Sequence, residues 1–402
     1  MARRKKSITS SFDALIAGGG MAGLCMAAHL GSRGLRVAVI EREDSARMAS
    51  PQFDGRSTAI AHGSTFILQE CGVWETLRAK ACAIDDIRVA DQCSLAALDF
   101  ATRAAGNQPF GYIVENAFFR YTLFERVREL PSVTLKCPEA IAAIETGDEG
   151  VTVSLQNGER LDAPLLIAAD GRHSFCRTQA GMRTRSWSYN QSALVATLGH
   201  SKPHHHLALE NFHPGGPFAL LPMTENRTSL VWTERPDVAE TLKNLPEEEF
   251  CQLLRDRGGD YLGDIHLLSP RMLYPLSFML ADRLQSERLV LIGEAAHAMH
   301  PIAGQGFNLS LRDIGALGKL MAEAKERGED VGAALLLGAY ARKRHLDHFT
   351  FLAATDLLEK LFSNNIFPLR LARRFGLELV EKIPPAKQFF SRMAMGLLTG
   401  TD

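Results

Sequence analysis

Three short segments carry residues whose types and spacing suit the binding of a cofactor that bears phosphates and a ribose. Gly18, Gly20 and Gly23 form a Gly-x-Gly-x-x-Gly run, and Glu41 follows Gly20 by 21 residues. In such a run the first glycine permits a tight turn and the second lets backbone approach a pyrophosphate. The third lets a helix pack closely on a strand. The phosphate then meets free N–H groups and roughly half a positive charge at a helix N-terminus. A carboxylate at Glu41 suits an adenosine ribose and opposes a 2′-phosphate, which favours FAD or NAD over NADP. The second segment is Asp170-Gly171-Arg172-His173-Ser174. The third is Gly293-Glu294-Ala295-Ala296-His297, continued by His300-Pro301-Ile302-Ala303-Gly304-Gln305-Gly306-Phe307-Asn308. Taken singly, either acid could simply cap the helix that follows it.

The elements around these segments would place them together. Residues 12–17 read as a short buried strand, the glycine run leads into a helix to about Arg33, and Leu35–Ile40 reads as the next buried strand. Strand, glycine turn, helix and strand make a βαβ unit and hence a parallel sheet with covered faces. Leu165–Ala169 and residues 288–292 are further continuous apolar runs, each directly before one of the acidic segments. Both acids therefore fall at the C-terminal ends of strands, where α/β sheets bind ligands. Val151–Leu155 alternates before a turn at Asn157-Gly158. Ser192–Leu198, Pro217–Pro222 and Thr228–Thr233 are short runs between Gly, Pro and Asn turns, the pattern of an antiparallel sheet. From about residue 307 the pattern is helical, with breaks at Pro368, Pro384 and Pro385.

Composition narrows the function classes. Over 402 residues, 45 Lys and Arg stand against 46 Asp and Glu, so no global field attracts nucleic acid. The hydrophobic fraction of 46% is that of a globular chain with a core, and the length suggests two domains. Seven scattered cysteines, with no Cys-x-x-Cys, read as reduced thiols in a cytoplasmic protein. Arg3-Arg4-Lys5-Lys6 before the uncharged run Ala14–Ser32 imitates an export signal or span, but the glycines within it are explained by the phosphate turn. His204-His205-His206 with His213 lacks a carboxylate or cysteine at ligand spacing, and reads as a solvated loop rather than a metal site. His345 and His348 read as surface residues of a charged helix.

Together the three segments resemble the flavoprotein aromatic hydroxylases of the p-hydroxybenzoate hydroxylase type. The second and third match the family's Asp-Gly and Gly-Asp signatures. The His-Pro-x-Ala-Gly-Gln-Gly-x-Asn segment is most similar to that of the ubiquinone-biosynthesis hydroxylases. Asp54-Gly55-Arg56-Ser57-Thr58-Ala59-Ile60 resembles their flavin-side arginine segment, and Gly111-Tyr112-Ile113-Val114-Glu115-Asn116 a further block. The resemblance runs from about residue 12 to 345. One departure is Glu294, where the family's commonest residue is Asp, so the carboxylate reaches one methylene further.

The resemblance implies an α/β chain: a parallel-sheet, Rossmann-like FAD-binding domain (1–80, 106–182 and 281–345), an antiparallel-sheet substrate domain (81–105 and 183–280) and a helical C-terminal segment (346–402). It implies noncovalent FAD, NAD(P)H as co-substrate, and O2 forming a flavin C4a-hydroperoxide that hydroxylates a polyprenyl phenol. The implied cofactor-binding residues are Gly18, Gly20, Gly23, Glu41, Arg56, Asp170, Gly171, Gly293, Glu294, Pro301, Gly304, Gln305, Gly306 and Asn308. Backbone N–H groups around Gly304–Gly306 would stabilise anionic reduced flavin, with Asn308 adding a donor. No catalytic base is named; His297 reads as a packed hydrogen-bonding residue.

Two other readings stand beside this one: a hydroxylase of a small soluble phenol, and a non-catalytic flavin-binding scaffold in a biosynthetic complex. None of Trp74, Trp187 and Trp232 sits in the Trp-x-Trp-x-Ile-Pro segment of flavin halogenases, and no close cysteine pair of the disulfide reductases is present. From Ala341 to Asp402 the chain carries 10 Lys/Arg, 6 Asp/Glu and seven of its 21 Phe. Ala386, Phe389, Phe390, Met393 and Leu397 make one apolar helical stripe. The stripe suits either burial against its own domain or contact with anionic lipid at the cytoplasmic face or with a partner.

Overall fold

A computed structural model describes residues 12–91, 97–102, 107–298, 306–362, 391–392 and 394–397. The chain is a mixed α/β fold with several sheets. Four-residue apolar runs form its first two strands, β1 (Ala14–Ala17) and β2 (Val37–Ile40), both wholly buried. Helix α1 (Met21–Gly31) connects them. Three further strands complete the parallel set: β3 (Val133–Lys136), β4 (Leu166–Ala168) and β5 (Leu289–Leu291). The spatial order is β5-β4-β1-β2-β3, with the short strand Gln285–Ser286 antiparallel on the β5 edge. Strands buried on both faces read as unbroken apolar stretches, which is why these were visible in sequence. Helix α1 is buried from Gly23 to Gly31, and a Cβ at Gly31 would lie 2.6 Å from Val133, so the helix rests tightly on the sheet. Helices α2 (Gly306–Glu326) and α3 (Ala334–Phe362) pack against it from the C-terminal half of the chain. No helix among the described residues is long and apolar enough to cross a membrane.

A second, larger sheet draws its strands from residues 86–101 and 184–281, joined by the two-residue strand His297–Ala298. Its longest strand, Thr184–His200, pairs with both Met272–Ala281 and Arg227–Glu234. Only its second half showed in the sequence pattern. The first half is largely exposed and polar, and a register shift between Ser188 and Gln191, with Asn190 at φ 54°, breaks the alternation. Leu194, Leu198, Phe218, Leu230 and Trp232 on this sheet meet Phe250 and Leu254 of the helix Glu247–Gly258 in a core separate from that of the parallel sheet.

Two histidine readings need correction. His348 is completely buried, whereas His345 is exposed as expected. His204 and His213 are also buried rather than solvated. His204 Nε2 bonds the Met223 carbonyl at 2.8 Å, and burial first, then the Arg257 charge, lowers the His213 pKa to about 4. Of the C-terminal stripe, Ala386, Phe389, Phe390 and Met393 lie outside the described residues. Leu397 packs with Met395 against Ala59, Ile84, Phe110 and Met223.

Candidate functional site

The three segments meet at one edge of the parallel sheet, because β1, β4 and β5 are neighbours and each ends just before one of them. Gly18 turns the chain out of β1 at φ +98°, and a Cβ there would lie 2.5 Å from the Ala169 carbonyl oxygen. At Gly23 a Cβ would fall 1.9 Å from the Gly18 carbonyl oxygen. Both positions therefore need glycine for the fold itself. Gly20 differs: it is the exposed N-cap of α1, and a Cβ there meets nothing within 4 Å. The space in front of the helix N-terminus is open, as a pyrophosphate requires. Glu41 Oε2 accepts from the Gly19 N–H at 2.5 Å and Oε1 from the Glu43 N–H at 2.7 Å, so this carboxylate also braces the glycine turn.

Asp170 uses one oxygen locally and leaves the other over. Its Oδ2 accepts from the Cys176 N–H at 3.0 Å and caps the short helix Phe175–Gln179. Its Oδ1 is buried with no hydrogen-bond partner among the described residues. An unmet buried acceptor costs about 1–3 kcal/mol, which a ligand hydroxyl would recover. Gly171 follows at φ +81° with open space at its Cβ position. Arg177, buried, donates from Nη2 to the Arg172 carbonyl and from Nη1 to the Ala295 carbonyl, both at 2.8 Å. It thereby ties the second turn to the third.

The third turn is also held by a buried charged cluster. Gly293 sits at φ +59°, and its N–H donates to Asp313 Oδ2 at 3.0 Å. His297 Nε2 reaches the same oxygen at 2.8 Å. Arg344 Nε and His348 Nε2 reach Oδ1 at 2.7 and 2.8 Å. Arg344 also bonds Asp347, which pairs with Arg312 at 3.1 Å. Two histidines and a carboxylate in this arrangement resemble a metal-ligand set. Here, however, the Arg344 guanidinium already supplies the positive charge on Asp313. Burial alone would raise the Asp313 pKa, but the neighbouring His348, then Arg344 and His297, outweigh it and hold the group well below the carboxylate range. Burial lowers His348 to about 4, so it is neutral near pH 7. Glu294, by contrast, points to solvent.

The remaining expected residues divide. Arg56 pairs with Asp54 at 2.6 Å on the approach to the strand Ser57–Ala61. Asn308 is buried, its amide donating to the Ala59 carbonyl and its carbonyl accepting from the Ala61 N–H, both at 2.8 Å. Those bonds fix the start of α2 against that strand. Gly306 opens α2 with free space at its Cβ position. Pro301, Gly304, Gln305 and His300 lie outside the described residues.

This geometry accompanies a family match. Residues 11–348 match the family model described as the FAD binding domain. A "Ubiquinone hydroxylase UbiL" of Rhodospirillum rubrum is 42% identical over 96% of this chain and 90% of its own length. The "3-demethoxyubiquinol 3-hydroxylase" of Escherichia coli is 32% identical over 95% and 98%. The chain belongs to the FAD-binding monooxygenase family, close to the ubiquinone-biosynthesis hydroxylases. The fold agrees: p-nitrophenol 4-monooxygenase PnpA from Pseudomonas putida superposes with a TM-score of 0.79 over 97% of this chain and 99% of that one, at 18% identity.

Sequence reasoning missed Arg177, Asp313 and Arg344 of this family member and took the buried His348 for a surface residue. No glycine run or strand end marks them. Asp313 and Arg344 stand inside long helices, where a charge normally means a solvated face.

Proposed function

We propose that this family member hydroxylates the ring of a polyprenyl phenol in ubiquinone biosynthesis, consuming NAD(P)H and O2 with noncovalent FAD. The observation that carries the flavin part is the contact of three turns at one sheet edge: Gly18 against Ala169, and Gly293 beside Ala22 of α1, where a Cβ would lie 3.2 Å away. The acceptor class rests on relatives of matching length whose names are ubiquinone hydroxylases.

The fit to FAD rests on two features of this chain: the open cradle at Gly20 and the unmet oxygen of Asp170. Gly18, Gly20 and Gly23 with the α1 N-terminus would hold the pyrophosphate, Glu41 the adenosine ribose, and Asp170, Gly171 and Glu294 the ribityl side. Arg56 and the α2 N-terminus at Gly306 would flank the ring. Pro301, Gly304 and Gln305, outside the described residues, are assigned to the flavin by the resemblance alone. Bound there and reduced by NAD(P)H, FAD supplies oxygen activation. Helix N-terminal N–H groups favour negative charge beside them, and glycine lets them approach closely. The larger sheet, drawn from 86–101 and 184–281, would lie in the substrate domain, for which we propose residues 81–105 and 183–280, and would keep water from the ring.

Purified protein should be yellow and oxidise NAD(P)H only when a polyprenyl phenol and O2 are both present. A deletion strain should accumulate a ubiquinone precursor lacking one ring hydroxyl. Turnover with small phenols only would replace the acceptor class. Bound FAD without any acceptor-dependent oxidation would leave a scaffold.

A further inference from the structure

We propose that Asp313 is a positioning residue that holds the Gly293–His297 turn in its FAD-binding geometry. The inference rests on the flavin reading of that turn and is independent of the acceptor.

Asp313, on α2, is fully buried, and its two oxygens take four bonds from two other stretches of chain: the turn itself, through Gly293 and His297, and α3, through Arg344 and His348. A buried ionic cluster of this kind is rarely the most stable way to fill a core, because the desolvation of each charge offsets much of the Coulombic gain. What it provides is a fixed geometry. The bond from the Gly293 N–H is the informative one. Gly293 is in the left-handed region, and its backbone stands against Ala22 in the first turn of α1, beside the phosphate cradle. A shift of this N–H away from Asp313 moves the turn relative to Gly20. It also moves Glu294, the exposed carboxylate assigned to the ribityl side.

A second clamp acts on the turn as well. Arg177 holds the Ala295 carbonyl and the Arg172 carbonyl of the Asp170 turn. The two clamps together set the spacing between the two acidic turns. Asp347 provides the contrast: it belongs to the same cluster through Arg312 and Arg344 but touches no residue of 293–297 in its ion pairs.

The experiment compares FAD titration of apoprotein, followed by flavin fluorescence and visible-region circular dichroism, with apoprotein melting temperature. Asp313→Asn should weaken FAD binding roughly tenfold, about 1.4 kcal/mol, and alter the dichroism of the bound flavin. Asp347→Asn should lower the melting temperature without shifting FAD affinity beyond roughly twofold (~0.4 kcal/mol). If Asp313→Asn does not fold, His348→Leu and His348→Gln replace it: Leu removes a donor to Asp313 and should weaken FAD, whereas Gln keeps a donor and should restore binding. Equal FAD affinity in Asp313→Asn and Asp347→Asn, or in His348→Leu and wild type, would overturn the positioning role and leave a purely structural cluster. A wild-type protein that binds no FAD would instead overturn the flavin reading beneath it.

Discussion

Around Gly18–Gly23 backbone sterics shape the site, while around Gly293–His297 buried side chains do. In the first region, two of three glycines are required because a Cβ would strike a carbonyl oxygen, and the third faces open space. In the second, one left-handed glycine is held by a carboxylate that two histidines and an arginine share. A backbone-shaped site is written in a few adjacent residues. A side-chain-shaped site is spread over 293–348, and its members announce themselves only once the helices are packed.

This contrast can be broken most strongly at Gly23. Gly23→Val would drive a side chain into the Gly18 carbonyl, 1.9 Å from the Cβ position, with no flexible neighbour to yield. Overpacking of a rigid contact costs ~1–3 kcal/mol or more, so the protein should be insoluble or lose a large part of its melting temperature. Gly20→Val should do the opposite to the fold. It has free space, so the melting temperature of the apoprotein should stay within a few degrees while FAD binding falls ~10²-fold, about 2.7 kcal/mol. Equal behaviour of the two variants would refute the separate roles assigned to these glycines.

The next effect is acid lability. His348 in the folded protein titrates at about 4 against the ordinary 6.5. The unfolded chain therefore takes up a proton as pH falls through 6.5 while the folded one does not. Stability present above that value is lost progressively down to about 4. At ~1.4 kcal/mol per pKa unit, the loss approaches ~3 kcal/mol. His213, lowered to about 4 as well, acts in the same direction from the larger sheet. Chemical denaturation at pH 7 and pH 5 should show His348→Gln losing less stability between the two than wild type. The smallest effect is expected at Glu294. Its side chain is exposed, so Glu294→Asp should leave melting unchanged and alter FAD affinity by no more than roughly threefold, or ~0.65 kcal/mol.

The parts of the fold legible in sequence were those set by local rules. Strands β1, β2, β4 and β5 appeared as apolar runs because both faces are covered, and the glycine turn appeared because its conformation excludes other residues. His348 was misread for a physical reason. It shares a helix with Arg342, Lys343, Arg344, His345 and Asp347, and such a run resembles a solvated face. In the fold Arg344, Asp347 and His348 turn inward because Asp313 and Arg312 on α2 meet them there. Asn308 was expected to add a donor beside the flavin; that its side chain also bonds the strand Ser57–Ala61, through residues 247 and 249 positions away in the chain, no local pattern could show. The exposed half of Thr184–His200 was missed because polar residues and a bulge erase the period of two.

The central claim is that this sheet edge binds a flavin that inserts one atom of oxygen into a polyprenyl phenol. Turnover under ¹⁸O2 in ordinary water, followed by mass spectrometry of the product, tests it most directly. One ¹⁸O atom per newly hydroxylated ring is the predicted result. Product oxygen drawn from H2¹⁸O in the reciprocal experiment, or no oxygenated product from any quinone precursor despite bound FAD, would contradict the account.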